Sequence, residues 1–187
     1  MKDMTRDESL ELLKKYIKNE NMLKHSYASE AVMMALAEKL GQDAGLWGIA
    51  GLMHDIDIEA TGADMSIHGL EGARILAEYG FAPLIVDAVK MHNEMAHGTK
   101  RTTVFHHALA AGETITGLIT ATALVYPDKK LENVKPGSIV KRMKEKAFAA
   151  SVNRDTIREC EDIGIPLQEF AEISLKAMKE ISGLLGL

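Results

Sequence analysis

Residues 43–53 read DAGLWGIAGLM, a segment apolar almost all the way round, and they close on the pair His54-Asp55. A helix that is hydrophobic on every side has to be wrapped by other elements, so this one must sit at the centre of whatever the chain forms. Burying an imidazole and a carboxylate at its end is costly unless something offsets the lost hydration. A cation would do so. Neutral imidazole and carboxylate both ligate divalent transition metals, and the C-terminal end of a helix carries partial negative charge.

The flanking sequence supplies helices to wrap it. Thr5-Arg6-Asp7-Glu8 has the form of a capping box and opens a first helix, with Leu10, Leu13 and Ile17 as its stripe. A second helix is expected over about 21–40, stopped by Gly41, and a fourth from near Ser66 to Gly80. Pro83 is placed to begin a fifth, running to about Met95. Residues 102–127 then form a long apolar stretch whose one formally charged residue is Glu113. Its length would suffice to cross a bilayer, but a mid-segment carboxylate, two histidines and six threonines read better as a helix buried in protein. No extended strand-like alternation appears, prolines number only 4, and the expected fold is all-α. Composition shifts after Tyr126. We read one domain over 1–187, with a core of about 1–127 and a helical extension over 128–187, including one helix at 153–163 and a last one opened by Pro166.

Polar residues recur on the buried faces. His25 shares a helix face with Ala28, Val32 and Leu36, so it points inward. His68 is expected two residues into the fourth helix and His92 near the end of the fifth. Glu113 lies two turns from His106 on one face, with Gly117 one turn further leaving room for close approach. A carboxylate inside a buried helix is seldom there for packing. Imidazoles and carboxylates on successive rigid elements are the raw material of a metal site.

The ordered set His25, then His54-Asp55 within GLMHDID, then Glu113 resembles the HD-domain superfamily of metal-dependent phosphohydrolases over about residues 20–127. The stretch from Asp128 onward resembles that of small HD hydrolases. The resemblance implies one divalent ion on His25, His54, Asp55 and Glu113, where the late ligand is usually Asp. His68 and His92, in SIHGLEGARIL and VKMHNEM, resemble ligands of a second ion bridged by Asp55. Asn93 stands where a further histidine often occurs, which leaves that second ion open.

The implied activity is hydrolysis of a phosphoester, of a nucleotide or other small molecule, by a metal-activated water. Open coordination positions favour Mn, Fe, Co, Ni or Mg, with Zn also able to bind. Asp57 and Glu59 are candidates to orient or deprotonate the water. Lys100, Arg101 and His106 are candidates to bind the substrate phosphate, with His97 and His107 as further donors. Two other readings stay open: a metal- or nucleotide-binding regulatory domain without turnover, and a di-iron oxygenase. A net charge of −5 and a basic 129–146 segment without interleaved aromatics argue against nucleic acid as a partner. The single Cys160 fits a reducing compartment, and the charged N-terminus shows no signal-peptide core, so we expect a cytoplasmic protein without a membrane anchor; a homo-oligomer stays open.

Overall fold

The computed structural model describes residues 4–187; the first three residues of the charged N-terminal segment lie outside the described part. Helix α1 (Arg6–Tyr16) begins as expected, with Thr5 and Glu8 forming a reciprocal capping box. Helix α2 (Glu20–Leu40) is capped by Asn19 and stopped by Gly41 in the left-handed conformation. Helix α3 (Ala44–Met53) starts where Asp43 Oδ1 accepts the Leu46 N–H at 2.9 Å, and ends at His54. Helices α4 (Leu70–Glu78), α5 (Pro83–Met91) and the 21-residue α6 (Val104–Leu124) follow. The extension supplies α7 (Pro136–Arg142), α8 (Arg154–Arg158), α9 (Leu167–Glu180) and α10 (Ser182–Leu185). No strand occurs among the described residues, and none of their helices is long and apolar enough to cross a membrane. The fold is all-α.

Helix α3 is the central element, as its all-round apolarity requires. It packs against α1, α2, α5 and α6. The α2–α3 contact is unusually close: a Cβ on Gly51 would stand 2.6 Å from the Ser29 carbonyl oxygen. That approach brings His25 on α2 up to His54 at the end of α3. Helix α6 also comes close to α2 at Gly112, where a Cβ would meet Met33 Sδ at 3.0 Å. Leu36, Leu52, Met53 and Leu109 are fully buried in one apolar cluster, which continues into the extension through Phe170 and Met178.

Three boundaries differ from expectation. Helix α4 begins at Leu70 rather than near Ser66, because residues 64–69 form a turn held by Asp64 Oδ1 on the Ser66 N–H. His68 is therefore in that turn and not inside the helix. Helix α5 ends at Met91, so His92 is its C-terminal cap. The expected helix at 153–163 is a single short α8 followed by turns.

Candidate metal centre

Each imidazole of the cluster is held from behind through Nδ1. His54 donates from Nδ1 to the Gly51 carbonyl at 2.8 Å, one turn back on its own helix. His92 does the same to Val89 at 2.5 Å. His68 Nδ1 lies 2.7 Å from Asp57 Oδ1, a pure acceptor. His25 Nδ1 lies 3.0 Å from Thr116 Oγ1, whose own proton goes to the Glu113 carbonyl. In each ring, when neutral, the neighbour assigns the proton to Nδ1 and turns Nε2 toward the cluster as the atom that would bind an ion.

The four Nε2 atoms converge. His25 Nε2 and His54 Nε2 are 3.0 Å apart, as are His68 Nε2 and His92 Nε2. Asp55 lies between the pairs: its Oδ2 is 3.4 Å from His25, and its Oδ1 is 3.4 Å from His54, 3.2 Å from His68 and 3.7 Å from His92. Two donor groups result, His25–His54–Asp55 and Asp55–His68–His92, sharing one carboxylate. Facing lone pairs at this distance repel unless positive charge sits between them, so the donor chemistry fits two cations.

The electrostatics point the same way. Burial disfavours charge on each histidine, and the neighbours decide which one keeps a proton. Burial and the adjacent His54 lower His25 to about 4. Burial also depresses His92. Against the same burial penalty, the Asp55 charge raises His54, and Asp55 and Asp57 together raise His68 to about 10. Each close pair thus has one proton-holding ring beside one neutral ring, placing positive charge where an ion would put it. Asp55 is held well below the usual carboxylate range despite its burial, chiefly by His54. Burial pushes Glu113 up to about 7.

Glu113 reaches the cluster from α6, with Oε2 3.8 Å from His25 Nε2, and stands at its edge rather than among the tightly grouped donors. Asp57 was a candidate to act on water, but its carboxylate is fully buried and engaged elsewhere. Oδ2 accepts the N–H groups of Gly69 and Gly72 at 2.8 and 2.7 Å. Gly69 precedes α4 with φ +86°, a conformation that suits glycine, and has no side chain to cap the helix; Asp57 caps it instead. Asp57 orients His68 and the turn that carries it. Glu59 does not face the cluster: exposed, it accepts the Lys18 and Asn19 N–H groups at 2.9 and 2.8 Å.

The expected phosphate donors also lie elsewhere. Lys100 is 85% exposed and pairs with Glu94. His106 Nε2 donates to Asp87 at 2.7 Å, away from the cluster. His97 Nδ1 accepts the Thr99 N–H. Arg101 is buried and makes a two-pronged contact with Glu159 of the extension, at 2.7 Å from Nε and 2.6 Å from Nη2, while His107 grips the same carboxylate at 2.8 Å. Arg101 also donates to the Met91 and His92 carbonyls, which ties the extension to the helix end carrying His92. Sequence reasoning missed this tether because its partners are 58 residues apart. Asn93 is no donor to an ion: its amide holds the Met65 and His68 carbonyls.

A cavity of about 500 Å³ opens over the cluster, lined by His25, Asp55, His68, His92 and Glu113 and roofed by Ser151, Asn153 and Thr156. Among the described residues, no Lys or Arg lines it.

Helices that gather His and Asp donors around a shared carboxylate, beneath a small cavity, define a helical metal-binding domain. A family model of the HD domain matches residues 22–144. The chain belongs to the HD domain family, whose members are metal-dependent phosphohydrolases that bind divalent metals. It is similar to Ribonuclease Y of Deinococcus radiodurans, 27% identical over 144 residues that cover 73% of this chain and 24% of that protein. Ribonuclease Y of Bacillus subtilis is 28% identical over 145 residues, covering 73% and 26%. Ribonuclease Y of Opitutus terrae is 35% identical over 77 residues, covering 41% and 14%. The chain therefore spans about a quarter or less of the curated relatives it matches.

Proposed function

We propose that this protein hydrolyses a phosphoester of a nucleotide or another small molecule. The observation that carries this reading is the convergence of four histidine Nε2 atoms on Asp55 at the floor of a small cavity. When bound, divalent ions there polarise the phosphoryl oxygen and lower the pKa of a water; sites with open positions favour Mn, Fe, Co, Ni or Mg over closed tetrahedral zinc.

The remaining roles follow from the chain's own groups. Asp55 serves both donor groups and so fixes their spacing. Glu113 takes the fourth place beside His25, and its extra methylene relative to Asp lets α6 stand further back. Asp57 keeps His68 in the tautomer that leaves Nε2 free. Thr114, Ser151, Asn153 and Thr156 face the cluster across the cavity and offer neutral hydrogen bonds to ester oxygens. The reading carries two ions, because both donor groups are complete without a histidine at position 93.

The name of the relatives favours a second reading, an RNA phosphodiester as substrate. The absence of Lys and Arg from the cavity walls weighs against a long polyanion. The test is a panel of phosphomonoesters, nucleotides and a short RNA, offered to protein loaded with Mn, Co, Ni or Mg. Hydrolysis of at least one small phosphoester, lost in Asp55→Ala, is expected. Activity undiminished in Asp55→Ala overturns the assignment; ion binding with no turnover across the panel favours a non-catalytic regulatory domain.

A further inference from the structure

A second cavity, of about 510 Å³, runs along the seam between α2 and α6 and is closed on its far side by residues 185–187. It adjoins the cavity over the metal centre, since His25 and Gly117 line both. Gly117 has no side chain to divide them. A Cβ there would stand 3.3 Å from Val152 Cγ2, in the roof of the metal cavity.

We propose that this groove is the subsite for the organic body of the substrate, and that it selects an amphipathic phosphoester: an apolar body bearing a second negative group. The phosphoester rests on the hydrolase reading above; occupancy of the groove does not. Four observations support it. The His25 side chain, which lines both cavities, is 23% exposed, against 5% for His68 and His92 and 1% for His54, so the donor that borders the groove is also the most open imidazole of the centre. Ala28, Ala121, Leu124 and Leu185 give the walls an apolar stretch beside the neutral polar groups of Asn21, Thr116 and Thr120, so the groove covers an apolar body at less desolvation cost than a sugar phosphate. The volume lies in the range of small-ligand sites, about 300–1,000 Å³. Lastly, among the described residues Lys24 is the one Lys or Arg lining either cavity, and it has no ion-pair partner among them. Gly186 leaves its ammonium room: a Cβ there would stand 3.2 Å from Nζ. A single unpaired cation suits one additional anion and not a polynucleotide track.

Binding of methylphosphonate, phenylphosphonate and 4-carboxyphenylphosphonate to Mn-loaded protein, measured by calorimetry, tests the proposal without requiring turnover. The phenyl compound is expected to bind at least about 10-fold tighter than the methyl compound. Ala121→Trp, which fills the groove, and Leu124→Glu, which puts a charge on its wall, should collapse that ratio to within about 2-fold. Leu124 is 49% exposed, so its variant keeps the test alive should Ala121→Trp fail to fold. Lys24→Gln should weaken the carboxyphenyl compound by about 2- to 5-fold relative to the phenyl one. Equal binding of the methyl and phenyl compounds, a preference that survives both groove variants, or no binding of any of the three overturns the groove assignment. Hydrolysis of the matching phosphates is scored separately. A groove-dependent preference without hydrolysis would leave the subsite standing and remove the hydrolase reading; hydrolysis without the preference would do the reverse.

Discussion

The two halves of the centre are made from different kinds of structure. His25 and Glu113 project from within α2 and α6, each 21 residues long. Helix-interior positions give such side chains a fixed direction, His25 is backed by the Thr116 hydroxyl rather than by a carbonyl or carboxylate, and both remain partly open to the cavity. His68 and His92 stand at helix ends, where turns and caps present backbone groups. They are almost fully buried, and each is braced: His68 by Asp57, His92 by the Val89 carbonyl, with Arg101 fastened to the carbonyl of His92 itself. The contrast assigns them different work. On the function proposed, the His68–His92 half would keep an ion in a fixed place and the His25–Glu113 half would meet the reactant.

Substitutions can break or sharpen that contrast. The largest effect belongs to the residue common to both halves: Asp55→Ala should leave the protein without stoichiometric metal and without phosphoester hydrolysis, read by metal analysis and the phosphatase panel. Next comes the brace behind His92. Arg101 is 7% exposed and Glu159 18%, so Arg101→Gln leaves a largely buried carboxylate with only the His107 contact and should destabilise the fold by about 1–3 kcal/mol in denaturant unfolding. Asp57→Asn should weaken ion binding in the His68–His92 half by about 10- to 100-fold while sparing the His25 half, seen as one of two calorimetric binding phases moving. That half should also be the more sensitive to pH. Protons compete with the ion for Nε2, and His68 holds its proton up to about 10, so affinity there should rise with pH through the neutral and mildly alkaline range. The smallest effect is expected at Lys100, whose exposed pair with Glu94 lies off the site: Lys100→Ala should change stability by no more than about 0.5 kcal/mol and leave ion binding intact.

Much of this was legible from the residues. The all-round apolarity of α3 placed it at the centre, and the Thr5, Asn19 and Gly41 signals marked real helix ends. His25, His54 and Asp55 could be picked out because a polar group on an apolar helix face stands out from its periodicity. His68 stood out less, since it lies in a turn whose form depends on Asp57 capping a helix 12 residues away. Glu59, Lys100, Arg101 and His106 look available in the sequence because polar residues near a motif carry no sign of the partners that engage them. Their partners, the α2 N-terminus, Glu94, Glu159 and Asp87, are fixed only by packing. The groove between α2 and α6 left no periodic signal, because it is defined by what three separated segments fail to fill.

The ion count of the purified protein tests the central claim most directly. After loading with Mn and removal of excess, elemental analysis should give two ions per chain, falling to one in His92→Ala with the remaining ion still held by the His25 half. One ion or none in the unaltered protein, or a count of two that survives Asp55→Ala, would contradict the account.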